Sequence, residues 1–535
     1  MAKVRDRRSP RQVLRALLVA VVLIAPSLTA AVIAVQNRPA IIERLLSSRL
    51  RHAAFGMLGW VVPASSGLSR RLPPAAATVI GMNVPEIRYY GSSYPFANLV
   101  MGGGWLNSSW KPLSDTNQDA NGDIRSLPVD GIALRFLWVP PTSLGGSEVR
   151  CTFRGSGTLS LAGGGAVIAT APNILRFRLT NPRGRPPSPW LVVKDVVPRR
   201  PMRDLDCREA GLARTVRFRP SFLATLRGYR VIRFMDWQNA NANQPIDWHD
   251  RHTPAGNRLD RDGVSIEDML ALVRELGVDP WFVMPWNADH DYVSRFALMT
   301  RSQLPSGRNV YVEVGNEVWN IGFPVGRQAV AEGLARQLGA SEREAGMRRY
   351  AERTMEVMQP WEAAFAGRRG LTRVLSTQHV LPETAEIALS YGNTAAHVDA
   401  LATAPYFGTT LGGTDNTRDS SLKVLAAILP VSIQQAIDNR RIAVRHDKRY
   451  IAYEGGQSLV LPAQVQLLEQ LQHDPAMYGL YRRYLSMWRH QVGDVLCLLT
   501  SVSPPGISGA WGLAAREDDT AALAPKLRAV REAQY

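Results

Sequence analysis

From about Arg219 onward, short apolar runs alternate with longer stretches of helical periodicity. The runs Val231–Met235, Trp281–Met284, Val310–Val314, Arg373–Ser376, Ala400–Ala404, Tyr450–Tyr453 and Asp494–Leu499 predict strands. Between them, 325–338 and 342–366 carry helical spacing, and Ser265 with Asp268 three residues later predicts an N-cap for a helix that Gly277 stops after Leu276. Seven strands separated by helices predict a parallel sheet closed into a barrel, with Thr78–Asn83 as the remaining strand, first in chain order. The expected fold class is therefore α/β, a (β/α)8 TIM barrel.

The texture changes between Val149 and Val197. Cys151–Phe153, Gly157–Leu161 and Ile174–Leu179 are short alternating runs punctuated by Gly and Pro, which predicts a small antiparallel β domain inserted between the first two barrel strands. At the amino terminus six basic residues (Lys3, Arg5, Arg7, Arg8, Arg11, Arg15) precede an uncharged run from Ala16 to Val35. A translocon reads that order as export, and the run suits a membrane anchor by length and a cleaved signal by its small residues. The expected organisation is 1–40 signal peptide or transmembrane anchor, 41–77 Arg-rich linker, 78–130 first barrel strand and loop, 131–200 inserted β-sandwich-like domain, and 201–535 the remaining barrel. The expected location is periplasmic or extracellular, with a membrane tether through residues 16–35 left open.

Charge and cysteine content change this picture little. The 535-residue chain has 63 basic and 46 acidic residues, a net +17, and only six of the basic residues are lysine. An arginine excess admits an acidic polymer or an anionic surface. Zinc-finger spacing, a basic heptad region and Arg/aromatic alternation are absent from the sequence, so no nucleic-acid partner is expected. No Cys/His spacing suits a metal, and neither a metal nor a cofactor is expected. The Asp-rich stretch Asp115–Asp123 imitates a calcium loop, but counting from Asn117 its twelfth position is Pro128, which reads as a polar turn. Export permits a disulfide, and a Cys151–Cys207 pair is compatible with one folded unit; Cys497, in an apolar run, reads as buried.

Reacting groups in such a barrel sit where strands end. The fourth strand is followed by Gly315-Asn316-Glu317-Val318-Trp319-Asn320, the seventh by Glu454-Gly455-Gly456-Gln457. Two carboxylates at strand exits are the minimal machinery of glycoside hydrolysis, one protonated for the leaving oxygen and one anionic for the anomeric carbon. Glu313 would point into the barrel or the helix layer, and reads as a structural charge partner.

With these residues in place, the sequence resembles the clan A retaining glycoside hydrolases. More narrowly, Gly81-Met82-Asn83, Arg233–Trp237, Val312–Asn320 and Tyr453–Gln457 resemble a little-characterised bacterial branch often labelled cellulose-binding, over roughly 78–529. The resemblance implies Glu317 as acid/base and Glu454 as nucleophile, with Asn316 on the sugar 2-hydroxyl, Arg233 holding the nucleophile ionised, Tyr406 hydrogen-bonding it and Trp511 stacking on a sugar. Asp236, Trp237, Trp286, Trp319, Gln378 and His379 are expected to line the cleft. Met284-Pro285-Trp286 departs from the branch, where a His is expected after the Met-Pro pair, and leaves the subsites open. The implied activity is an exported retaining hydrolase of a β-linked polysaccharide. Non-hydrolytic polysaccharide binding and transglycosylation in exopolysaccharide synthesis are the alternatives.

Overall fold

A computed structural model describes residues 72–87, 92–139, 146–180, 188–367 and 369–534. The expected export or anchor segment and most of the linker lie outside the described residues. In chain order the strands are β1 (Ala76–Asn83), β2 (Ala133–Phe136), β3 (Glu148–Arg154), β4 (Thr158–Ala162), β5 (Gly165–Ala171), β6 (Ile174–Leu179), β7 (Trp190–Lys194) and β8 (Arg203–Glu209). There follow β9 (Val231–Arg233), β10 (Asp279–Met284), β11 (Val310–Val314), β12 (Leu371–Ser376), β13 (Ala400–Thr403), β14 (Tyr406–Phe407), β15 (Arg449–Ala452), β16 (Gly456–Gln457) and β17 (Gly493–Leu498).

Eight of these close into a parallel barrel in the order β1, β17, β15, β13, β12, β11, β10, β9. Closure runs through β1, whose Val79–Met82 register with Val495–Leu498 and whose Gly81–Asn83 register with Val231–Arg233. Strand β11 has all five residues buried, as a sheet covered by helices requires. The outer helices follow the sequence signals closely. Ser265 accepts from the Asp268 amide at 3.1 Å to start Ile266–Leu276, and Gly277, at φ 64°, supplies the left-handed turn that ends it. Helices Pro324–Ala335 and Glu342–Phe365 stand within three residues of their expected limits.

One long helix, Arg418–Arg445, was not anticipated. Pro430 lies in its middle and interrupts the apolar periodicity, while the Thr417–Ser420 capping box that starts it lies in a polar stretch.

The insertion between β1 and β9 consists of a three-stranded sheet, β2-β7-β4, and a four-stranded sheet, β5-β6-β3-β8, both antiparallel. They enclose a core of their own that includes Val149, Leu175, Phe177, Leu191 and Val193. The unit is wider than 131–200. Strand β8 lies beyond the expected end, and Leu99, Val100, Trp105 and Leu113 join its core from the expected barrel loop. The sequence hides β8 because Arg203, Asp204, Asp206, Arg208 and Glu209 read as an exposed charged stretch, whereas Asp206 and Arg208 are buried as an ion pair at 2.6 Å. Cys151 and Cys207, register partners on β3 and β8, are disulfide-bonded. The Asp115–Asp123 stretch is a turn, with Asp119 Oδ1 accepting from the amides of Asn121 (2.9 Å) and Asp123 (3.1 Å).

Candidate active site

Residues from β1, β11 and β15 and the turns that follow them converge on one buried cation at the end of β9. Arg233, the last residue of β9, is fully buried, so its charge requires compensation. Its Nη1 donates to Asn83 Oδ1 at 2.9 Å and Glu454 Oε1 at 2.7 Å. Nη2 donates to Asn316 Oδ1 at 2.8 Å and to Glu313 Oε1, and Nε reaches the same Glu313 oxygen at 3.1 Å. Every N–H of the guanidinium is thereby used. Asn83 Nδ2 in turn donates to the carbonyls of Tyr453 and Leu498, at 3.1 and 3.0 Å, tying three barrel strands together.

Glu454 follows β15 by two residues and is 4% exposed. Arg233 holds its Oε1, and the Tyr406 hydroxyl donates to its Oε2 at 2.9 Å. The short ladder β14–β16, in which Tyr406 pairs with Gly456, sets that reach. Gly455 fits beneath Tyr484, whose hydroxyl would stand 2.6 Å from any Cβ at this position. Burial raises the Glu454 carboxyl, while Arg233 and Tyr406 oppose that rise by favouring the anion.

Glu317 leaves β11 through a distorted turn. Gly315 has φ 64° and Glu317 itself φ 47°, a conformation that bulky residues rarely adopt. Asn320 Nδ2 donates to Glu317 Oε2 at 2.9 Å, and the Tyr453 hydroxyl reaches Oε1 at 3.4 Å. Burial, then the charge of Glu454, pushes the Glu317 carboxyl up to about 7. The two groups thus occupy different environments. Glu454 has a cation and a phenol on its oxygens, whereas Glu317 has neutral donors, and this favours a proton on Glu317 and a charge on Glu454.

Asn316, 2% exposed, donates from Nδ2 to Asn241 Oδ1 at 2.9 Å while accepting from Arg233. Trp511, on the loop after β17, meets Tyr406 edge-on with ring centroids 5.5 Å apart, and its Nε1 donates to Ser508 O at 2.8 Å. Trp511 and Tyr406 are half-buried, as are Asp236, Trp319 and Gln378 at their strand exits. Behind this wall, Lys526 Nζ donates to Gln472 Oε1 (2.6 Å), Gln457 Oε1 (3.2 Å) and Ala510 O (3.4 Å). Gln472 Nε2 also holds Gly512 O at 3.1 Å, so the residues on both sides of Trp511 are anchored.

Three expected cleft residues belong elsewhere. Trp237 is fully buried, stacked among Phe96, Phe218 and Phe222 with its Nε1 on Pro85 O at 3.2 Å, which leaves no ring face for a sugar. Trp286 is enclosed by Arg349 over its ring and by Tyr350, and donates to Glu332 at 3.2 Å. His379 has Nδ1 2.9 Å from Thr403 Oγ1 and Nε2 3.0 Å from Ser432 O, and burial lowers it to about 4, so it is a neutral interior strut. Strand exits attract both core and cleft aromatics, and sequence alone does not separate them. The residues missing from the expected site are Asn83, Asn241, Asn320, Tyr453 and Lys526. Asn83 and Tyr453 carried the legible signal of a polar atom at a strand end, whereas Asn241 lies in the loop after β9 and Lys526 in the last helix, where strand ends do not mark them.

No family model matches the chain, and no curated protein matches it. Solved structures that resemble it include the GH51 arabinofuranosidase from Xanthomonas axonopodis pv. citri, at 16% identity and TM-score 0.37 over 55% of this chain and 62% of that one. A 4-O-α-L-rhamnosyl-β-D-glucuronidase from Fusarium oxysporum 12S aligns at 10% identity and TM-score 0.38, over 59% of this chain and 64% of that one. The family 1 β-glucosidase from Thermotoga maritima aligns at 10% identity and TM-score 0.33, over 58% of this chain and 84% of that one. The chain thus spans under two thirds of the first two of these proteins.

Proposed function

We propose that this protein is an exported retaining glycoside hydrolase acting on a β-linked polysaccharide. The observation that carries the reading is the asymmetric pair: Glu454 held by Arg233 and Tyr406, and Glu317 pushed up to about 7 beside it. In the first step a Glu454 oxygen bonds to the anomeric carbon, the glycosidic C–O bond breaks, and the leaving oxygen takes the Glu317 proton. In the second, water attacks the anomeric carbon, gives its proton to Glu317 and releases Glu454 as a carboxylate. The half-buried rings of Trp511 and Tyr406 beside Glu454 supply the apolar face that a sugar ring requires. A protein that only grips polysaccharide needs neither carboxylate. The placement outside the cytoplasm rests on the basic flank and apolar run before Val35.

The role of Glu317 has a direct test. Glu317→Ala should lower turnover of an unactivated polysaccharide by about 100-fold or more, spare aryl glycosides with good leaving groups in the first step, and regain turnover of those when azide is added. Equal loss on both substrate types with no azide effect would remove Glu317 from that role.

A further inference from the structure

Arg233 faces two carboxylates, and the proposed chemistry uses only one. Glu313, in the middle of β11, exposes no side-chain surface, and neither does Arg233. Glu313 Oε1 takes two of the Arg233 N–H bonds, and Oε2 accepts from Ser376 Oγ at 2.6 Å. Ser376 is fixed in turn, its amide donating to the Tyr350 hydroxyl at 3.0 Å. Glu313 is therefore a built, fully bonded anion, sealed off from any substrate.

Its presence is unexplained by the resting state. One guanidinium against one nucleophile carboxylate would already be neutral, and a second buried anion leaves the trio at −1. The excess acquires a use once Glu454 reacts. When a Glu454 oxygen bonds to the anomeric carbon, the glycosidic bond breaks and the Glu317 proton leaves with the aglycone, Glu454 becomes a neutral ester. Its charge is gone while Arg233 stays a cation with no surface exposed. A buried cation stripped of its anion is among the most costly arrangements in a protein interior.

We propose that Glu313 is a positioning residue that keeps Arg233 charge-balanced while Glu454 is esterified, so that the covalent glycosyl-enzyme forms without an orphaned buried cation. This rests on the retaining reading above. It assigns the three groups a division of labour: Glu454 reacts, Arg233 orients both Glu454 and Asn316, and Glu313 holds Arg233 in place through the interval when Glu454 has no charge.

The test has a substrate-free arm and a catalytic arm. Gln at 454 is neutral and stands in for the ester, so the thermal midpoints of Glu313→Gln, Glu454→Gln and the double variant form a cycle. Each single variant keeps one carboxylate on Arg233 and should melt near the wild type. The double variant should melt about 5 °C below the sum of the single effects, and adding Arg233→Met to it should recover most of the loss. An additive double variant, or a double variant that fails to fold and is not restored by Arg233→Met, overturns the proposal. In the catalytic arm, 2,4-dinitrophenyl 2-deoxy-2-fluoro-β-glycosides of glucose, mannose and xylose are followed by intact mass. Glu313→Gln should label about 100-fold more slowly than the wild type, with Glu313→Asp restoring much of the rate. Equal labelling rates overturn the proposal. A wild type that takes no label from any of these sugars counts against the retaining reading itself, and the melting cycle then decides the charge coupling independently.

Discussion

Glu317 sits with its backbone in the left-handed region at φ 47°, held there between Gly315 and the hydrogen bond from Asn320. Such a conformation costs about 1–3 kcal/mol in a bulky residue, and here it accompanies a carboxyl set between Asn320 and Tyr453. The same residue should govern the alkaline side of the pH profile. Its carboxyl, pushed up to about 7 by burial and the Glu454 charge, must be protonated to serve as the acid. Thus kcat/KM should fall as pH rises through about 7, and should also fall at low pH as Glu454, itself raised by burial, gains a proton. A pH-rate profile checks this. Activity that keeps climbing to pH 9 would contradict a protonated Glu317.

The elements show which parts of the site a sequence can announce. Glu317 and Glu454 were legible because a buried strand ends abruptly in a charged residue, and Arg233 and Tyr406 because each sits at a strand exit. Trp237 and Trp286 follow the same pattern yet pack into the interior, since a strand end borders both the cleft and the helix layer. Strand β8 was hidden by its five charged residues, of which Asp206 and Arg208 are buried, and helix Arg418–Arg445 by Pro430. Lys526 was illegible for another reason: its helix, Pro525–Ala533, reaches the site only through tertiary packing. Burial lowers this lysine to about 7, well under the free value of about 10.4. Between those two pH values the unfolded chain binds more protons, so this residue's contribution makes the protein more stable as pH rises from 7 to 10. Chemical denaturation of the wild type and Lys526→Met across that range should show the rise in the wild type and flatten it in the variant. Parallel curves would mean that Lys526 keeps its proton in the folded protein across that range.

Across the whole molecule, eight parallel strands carry the site and a disulfide-bonded β unit with its own core interrupts them after the first strand. The barrel was readable because its period alternates buried strand with amphipathic helix from β9 onward. The insertion was readable as a change to short alternating runs, although not in its full width, because its core borrows residues from the loop before it. What the barrel accomplishes is to bring Arg233, Glu313, Asn316 and Glu454, from three strands scattered over some 220 positions, into one hydrogen-bonded cluster, with Glu317 beside it on Asn320 and Tyr453. The account stands on double displacement at that cluster. The most direct test is time-resolved proton NMR of the first product released from a panel of β-glucans, mannans and xylans, run beside Glu454→Gln. The account predicts a β-anomer that appears first and only later mutarotates, and no release in the variant. An α-anomer formed first, or release undiminished in Glu454→Gln, would contradict it.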